Sequence, residues 1–324
     1  MTPFEHQPKA ETKDKNQEAM EALAERLRLR EQYFSQVKVL CDSGILENFA
    51  ATSEHPLPEQ GVYGIDGKKH YLPNYEDILE RLKDPEKREI LEKKREQGFT
   101  KLLLVPFALP FSVLLDRYKQ VLLGIHKKTG LKATDGSTLE LNTEDPIYVW
   151  PDLIQGDNPD TPKEKRIEYQ VKDYEGRTKE ARGGRYKSEL LNDPENAWPI
   201  LLLEDNPDLP VQGQGQTIGG RKQLEANKTP KDYLKLMQEE PNHQNEQGLT
   251  PEANLTLWLT YLQERKTAID DWQGSGKANW LVGTYISGDV PYFFWSRGGR
   301  QPSLDRNDPE SRYENDGCRP AASV

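Results

Sequence analysis

The chain has 324 residues, of which 44 are Lys or Arg and 54 are Asp or Glu, for a formal charge of −10, and 34% are hydrophobic. A surplus of acid argues against a nucleic-acid binder held by overall charge, because neutralising phosphates needs a basic surface. The composition suits one or two packed regions padded with solvated sequence, and length alone suggests about two domains.

Met1 to Lys15 is polar and charged, without the apolar core of a signal peptide, and no later apolar run approaches ~18 residues, so no membrane insertion is expected. Cys41 and Cys318, far apart in the chain, give neither a disulfide framework nor metal-type spacing, and a reducing cytoplasm is the expected location. His6, His55, His70, His126 and His243 are scattered, with no H-x-x-x-H or H-x-E arrangement, so no metal and no cofactor is assigned.

From Lys13 to Cys41 the sequence is helix-forming, with Met20, Leu23, Leu27, Phe34, Val37 and Cys41 at alternating three- and four-residue steps and Arg30 at the polar station. Such a stripe serves either a coiled-coil homo-oligomer through residues 13 to 41 or an amphipathic helix packed on its own domain, widened by Tyr33 and Leu40. The shortness of the run and the polar Arg30 favour the packed helix. Pro and Gly punctuate residues 56 to 67, and Tyr75 to Gln97 reads as a helix interrupted at Asp84-Pro85 and stopped at Gly98. Lys101 to Phe107 suits a buried strand, and Phe111 to Lys128 carries Leu114, Leu115, Tyr118, Val121, Leu122 and Ile125 at helical spacing.

Brief strands are expected at Thr138 to Leu141 and Ile147 to Trp150, around the Asp145-Pro146 break. Residues 152 to 196 are nearly devoid of aliphatics and rich in charge, Gly and Pro, so a polar insertion or mobile loop without a core of its own is expected. Trp198 to Glu204 reads as another buried strand. The run Gly213 to Lys222 lacks the Gly-Lys-Ser/Thr ending of a phosphate loop and reads as a turn-rich connector. Thr229-Pro230 and Thr250-Pro251 each look like an N-cap followed by Pro at the first helical position, starting helices over Lys231 to Glu239 and Glu252 to Asp271.

Aromatic residues then concentrate: Trp258, Tyr261, Trp272, Trp280, Tyr285, Tyr292, Phe293, Phe294 and Trp295. Strands are expected over Ala278 to Ile286, Pro291 to Trp295 and Gly317 to Val324. Ser296 to Asp316 turns to Arg, Ser, Asp, Asn, Gly and Pro and is expected to be a loop anchored between ordered elements, which is a natural recognition surface.

The Trp295-Ser-Arg-Gly-Gly-Arg run and the closing Gly317-Cys318-Arg319-Pro320-Ala321 resemble the end of C-type-lectin-like domains of the formylglycine-generating-enzyme type. They are similar, more closely still, to target proteins of diversity-generating retroelements, whose last few dozen residues are rewritten at template adenines. The motifs cover residues 295 to 322 well, and a looser similarity extends over residues 99 to 324. The resemblance implies an α+β protein: a helical N-terminal region over 1–98, then a C-type-lectin-like domain over 99–324 with its insertion at 152–196 and a variable-type loop at 295–316. It implies a ligand-binding display protein and no enzyme, with an unknown ligand, most plainly a protein.

Adenine mutagenesis of AAC codons yields NNC, which never encodes Lys, Glu, Gln, Met or Trp, and no lysine follows Lys277. On that ground Ser296, Gly298, Gly299, Ser303, Asp305, Asn307, Asp308, Ser311, Tyr313 and Asn315 are candidate variable positions. Tyr292, Phe293 and Trp295 are expected to supply rigid area, mostly buried beneath the loop, while Arg297, Arg300, Arg306 and Arg312 are candidate bidentate contacts that could equally pair within the loop. The alternative is an enzyme, or degenerate relative, of the formylglycine-generating family. Its chemistry needs reactive cysteines near the end of the domain, where only Cys318 stands, with the expected role of a small buried side chain. Adjacent carboxylates at Asp270-Asp271 and Glu239-Glu240 do not converge, so no catalytic residue is assigned. Asn307-Asp308-Pro309-Glu310 is too faint an oxygen cluster to assign calcium.

Overall fold

The computed structural model describes residues 15–51, 59–274 and 276–324. Helix α1 (Lys15–Asp42) is followed by a small antiparallel sheet of β1 (Glu47–Phe49), β2 (Glu59–Tyr63) and β3 (Lys69–Tyr71). Two short helices follow. In α2 (Tyr75–Arg81) the Asn74 side chain accepts from the Asp77 N–H while Asp77 answers to the Asn74 N–H; α3 (Pro85–Glu96) starts on an Asp84 cap with Pro at its first position.

The packed face of α1 is Tyr33, Gln36, Val39 and Leu40, whereas the stripe residues Leu27, Phe34 and Cys41 face solvent. Lys13 and the side chains of Met20 and Leu23 lie outside those described. Helix α1 covers the open edge of β4 (Phe99–Leu104): the Gln32 amide donates to Thr100 O at 3.0 Å and its oxygen accepts from Leu102 N at 2.6 Å. Tyr33, Leu40, Ile78 and Leu91 thereby join one core with Phe99 and Leu102.

Next come α4 (Phe111–Thr129), β5 (Leu131–Ala133), β6 (Thr138–Leu139), β7 (Tyr148–Val149) and α5 (Pro151–Gln155). The apolar stations of α4, among them Leu114, Tyr118 and Leu122, are all buried. Residues 152–196 differ from the expected mobile loop. They bury Leu153, Ile167, Tyr169, Leu190 and Leu191, hold the short helix α6 (Lys187–Leu190), and use ion pairs where aliphatics are scarce. Arg182 grips Glu168 through two nitrogens, and fully buried Lys187 donates to Asp157 at 2.8 Å, to Glu252 at 3.1 Å and to Leu109 O at 2.7 Å. Charges placed opposite one another can be buried, and composition does not report that placement.

Strand β8 (Ile200–Glu204) leads into the hairpin β9 (Thr217–Ile218) and β10 (Arg221–Lys222), whose turn residues Gly219 and Gly220 have φ of +54° and +77°. After it Arg221 is buried between Glu204 and Glu246. Helix α7 (Pro230–Glu239) and helix α8 (Pro251–Arg265) start on Thr229 and Thr250, as expected, with β11 (Gln247–Gly248) between them. Twelve residues of α8, Pro251 to Leu262, are buried, so this helix is the central pillar, packed against α4 and α1.

The remaining strands are β12 (Thr267–Ala268), β13 (Ala278–Trp280), β14 (Val290–Ser296), β15 (Gln301–Asn307), β16 (Asp316–Gly317) and β17 (Pro320–Ser323). They complete a four-stranded antiparallel sheet β11-β17-β8-β4, a small sheet β12-β5-β6 and a five-stranded sheet β16-β13-β14-β15-β7. The architecture is α+β. Three strand expectations change. Ala278 to Ile286 stays extended only to Trp280, after which the chain turns at Gly283 (φ +90°) and again at Ser287-Gly288. Gly317 to Val324 is split in two by Cys318-Arg319. The segment Ser296 to Asp316 is not all loop: Gln301–Asn307 pairs along its whole length with Val290–Ser296. No strand former dominates β15, but β14 offers seven residues of matched register and β7 closes the other edge, so tertiary pairing overrides propensity.

Candidate functional site

The β14–β15 hairpin sorts its side chains by the period of two. Phe293, Trp295 and Leu304 point inward and are fully buried, with Phe293 edge-on to Trp258 (4.5 Å between ring centres) and Trp295 stacked beyond it (6.5 Å). The Trp258 indole donates to Asp270 at 2.8 Å, and Asp270 pairs with fully buried Arg319 at 2.9 Å. Arg319 also donates to the carbonyls of Asn206 and Pro207, and its N–H is received by Asn279 Oδ1 at 2.7 Å. The Gly317-Cys318-Arg319-Pro320 motif is therefore a clamp beneath the sheet. Cys318 is fully buried and burial pushes its thiol pKa up, so it stays protonated.

The opposite face carries Tyr292, Phe294, Ser296, Gln301, Ser303 and Asp305, with Tyr148 alongside on β7. Tyr292 and Phe294 stack at 5.3 Å, and Trp272, 36% exposed, stands edge-on to Phe294 at 5.8 Å. Behind this row Asp316 is 3% exposed. Burial raises its carboxyl to about 7, against the opposing pull of a hydrogen bond from Trp272 and the charge of Lys277.

The candidate positions fall into two clusters with this face between them. At the hairpin tip, Ser296, Arg297, Gly298, Gly299 and Arg300 lie at the surface. Arg297 forks onto Asp271 at 2.6 to 3.1 Å and reaches Ser137 at 3.0 Å, so it braces the tip and is not free for a ligand. Gly298 has an ordinary φ and a Cβ there would meet only Gln273 Oε1, at 4.0 Å. At the far end, roughly 20 Å along the strand, Asn307, Asp308, Ser311, Tyr313 and Asn315 form a stapled loop. Asn307 donates to Tyr313 Oη at 3.0 Å, Ser311 donates to Asn307 at 3.1 Å, Asp308 accepts from Glu310 N at 2.8 Å, and Lys277 holds Asn315 at 2.8 Å. Asp305 and Tyr292 lie between.

Two candidates do not reach solvent. Trp295 is 0% exposed beneath the sheet, and Ser303 is 5% exposed between Phe294 and Tyr148, so neither has surface to give a ligand. Conversely Phe294, Trp272 and Tyr148 belong to the face although none was a candidate; the late aromatic run contained the first two, and Tyr148 lay in the expected strand Ile147 to Trp150. Alternation from Tyr292 would have found Phe294, but Tyr148 and Trp272 arrive from segments far away in sequence. Asp270 and Asp271 are both buried and engaged with arginines. Among the described residues no group of three or more His, Cys, Asp or Glu converges as metal ligands would, and no helix is long and apolar enough to cross a membrane.

Comparison of the chain with protein-family models, curated proteins and solved structures finds no match.

Proposed function

We propose that this chain is a ligand-binding display protein of the diversity-generating-retroelement kind, a C-type-lectin-like scaffold whose outer sheet face and hairpin tip engage a protein partner. The observation that carries the reading is the separation of labour in one hairpin: Phe293, Trp295 and Leu304 hold the core, while Phe294, Ser296, Gln301 and Asp305 on the alternate face and Gly298 and Gly299 at the tip are at least partly exposed. Gly298 shows it most plainly, since neither its backbone angle nor its surroundings require glycine. A surface meant to be rewritten needs such positions, because a change there leaves packing untouched. The motifs that carry the resemblance fit the same division, with Trp295 and Arg319 as fixed clamp residues and the exposed residues of the tip and of the 307–315 loop as the displayed set.

Thiol chemistry of the formylglycine-generating kind has no starting point at Cys318, whose thiol is dry and protonated. The test is to sequence the gene's 3′ end and flanks across a population of the source organism. A near-copy of the region encoding residues 295–322, differing at template adenines and beside a reverse-transcriptase gene, is the expected result. A uniform gene without such a copy overturns the proposal.

A further inference from the structure

The five-stranded sheet brings three tyrosines round one carboxylate. Tyr292 is the direct cross-strand partner of Asp305, and Tyr148 pairs with Ser303 two residues away on the same face, so both rings lie within reach of the Asp305 side chain. Tyr313, 47% exposed, closes the end of this cluster, its hydroxyl held by Asn307 at 3.0 Å. The Asp305 charge raises the pKa of both Tyr148 and Tyr292, after burial, which places it beside both hydroxyls.

Among the described residues Asp305 has no cation of its own: its one polar contact is the backbone N–H of Arg306 at 2.9 Å, and no Lys, Arg or His side-chain nitrogen pairs with it. The guanidinium of the neighbouring Arg306 is engaged by Asp289 and lies over the Trp150 ring at 4.4 Å. A carboxylate with aromatic rings on two sides and no internal partner is complementary to a positive group on an alkyl stem: the rings accept the stem and the cation's face, and the carboxylate accepts its N–H groups. The chain's net charge of −10 adds long-range attraction of the same sign.

We propose that Tyr148, Tyr292, Tyr313 and Asp305 form a cation-binding site that takes a basic side chain, arginine or lysine, of the protein partner. The proposal rests on the display reading and supplies the partner chemistry for this particular sequence.

The test titrates the full chain with N-acetyl-arginine amide, N-acetyl-lysine amide and neutral N-acetyl-norleucine amide, followed by saturation-transfer NMR. The expected result is saturable transfer to both cations and none to norleucine, weakened about tenfold by Asp305→Asn and several-fold by Tyr313→Ala, with near-UV circular dichroism unchanged. Absence of cation binding, equal binding of norleucine amide, or an unaltered Asp305→Asn would each overturn the site. The gene survey is independent of this outcome: a uniform gene with cation binding intact removes the display reading and leaves the site, and a diversified gene without cation binding does the reverse.

Discussion

At Asp316 a carboxylate lies under the aromatic row, 3% exposed, with its pKa raised to about 7 because burial disfavours its charge. The folded protein therefore holds this proton more tightly than the unfolded chain, whose aspartates titrate near ~4. Between those values the folded state binds more protons, so this group makes stability fall as pH rises from about 4 to about 7, by on the order of 4 kcal/mol at most. Asp316→Asn keeps an acceptor for the Trp272 indole and removes the titration. Its stability relative to the parent should rise steadily between pH 4.5 and 7.5 in urea unfolding; a difference independent of pH would show that Asp316 titrates normally. Glu246 has the opposite sign. Hydrogen bonds from His243 and Arg221, outweighing burial, lower it to about 2, so its contribution is present above pH ~4.5 and is lost as pH falls through about 2.

Among the elements, α1 has two faces with opposite duties. Leu40 is fully buried against the common core, and Leu40→Ala should cost about 2–5 kcal/mol. Phe34 is 53% exposed, and Phe34→Ser should stay within about 0.5 kcal/mol in the same denaturation assay. Deleting residues 1–45 would remove Tyr33, Leu40 and the Gln32 bridge, and so would test stability before it tested assembly. Self-association through residues 13–41, the alternative use of the stripe, is better read from Leu27→Glu with Phe34→Glu, which alters exposed stripe positions alone. A self-associating parent loses mass in light scattering on this change, and an unchanged mass removes that role for the stripe.

For the molecule as a whole, the display reading requires that stability and surface identity be separable. Replacing Ser296, Gly298, Arg300 and Asp308 together, with Tyr, Ser, Asp and Asn respectively, should move Tm by only a few degrees, since none of these side chains supports the core. Trp295→Ala, by contrast, opens a cavity beside Trp258 and should cost about 3–5 kcal/mol. Comparable losses from the two proteins would mean that the hairpin tip is part of the structural frame. The main hydrophobic core runs from Tyr33 in α1 through α8 to Ala322 in the last strand, and a second, smaller cluster joins Tyr233 and Met237 of α7 to Trp280, Val290 and Cys318.

Local chemistry alone determined a good part of this. The Thr-Pro caps of α7 and α8, the Asp84-Pro85 break and the apolar period of α4 were legible because each depends on residues within a turn of one another. The aromatic run of β14 announced a core strand for the same reason. Tertiary structure decided what depends on distant partners. Residues 152–196 are packed because Lys187 meets Asp157 and Glu252, and no composition count shows that charges will be matched. Likewise β15 is a strand because β14 and β7 flank it, which buries Ser303 and sets Asp305 beside Tyr292 and Tyr148. The candidate residues were found as a stretch of sequence; the face on which they stand was fixed by strand register, where a one-residue step moves a side chain from solvent to core.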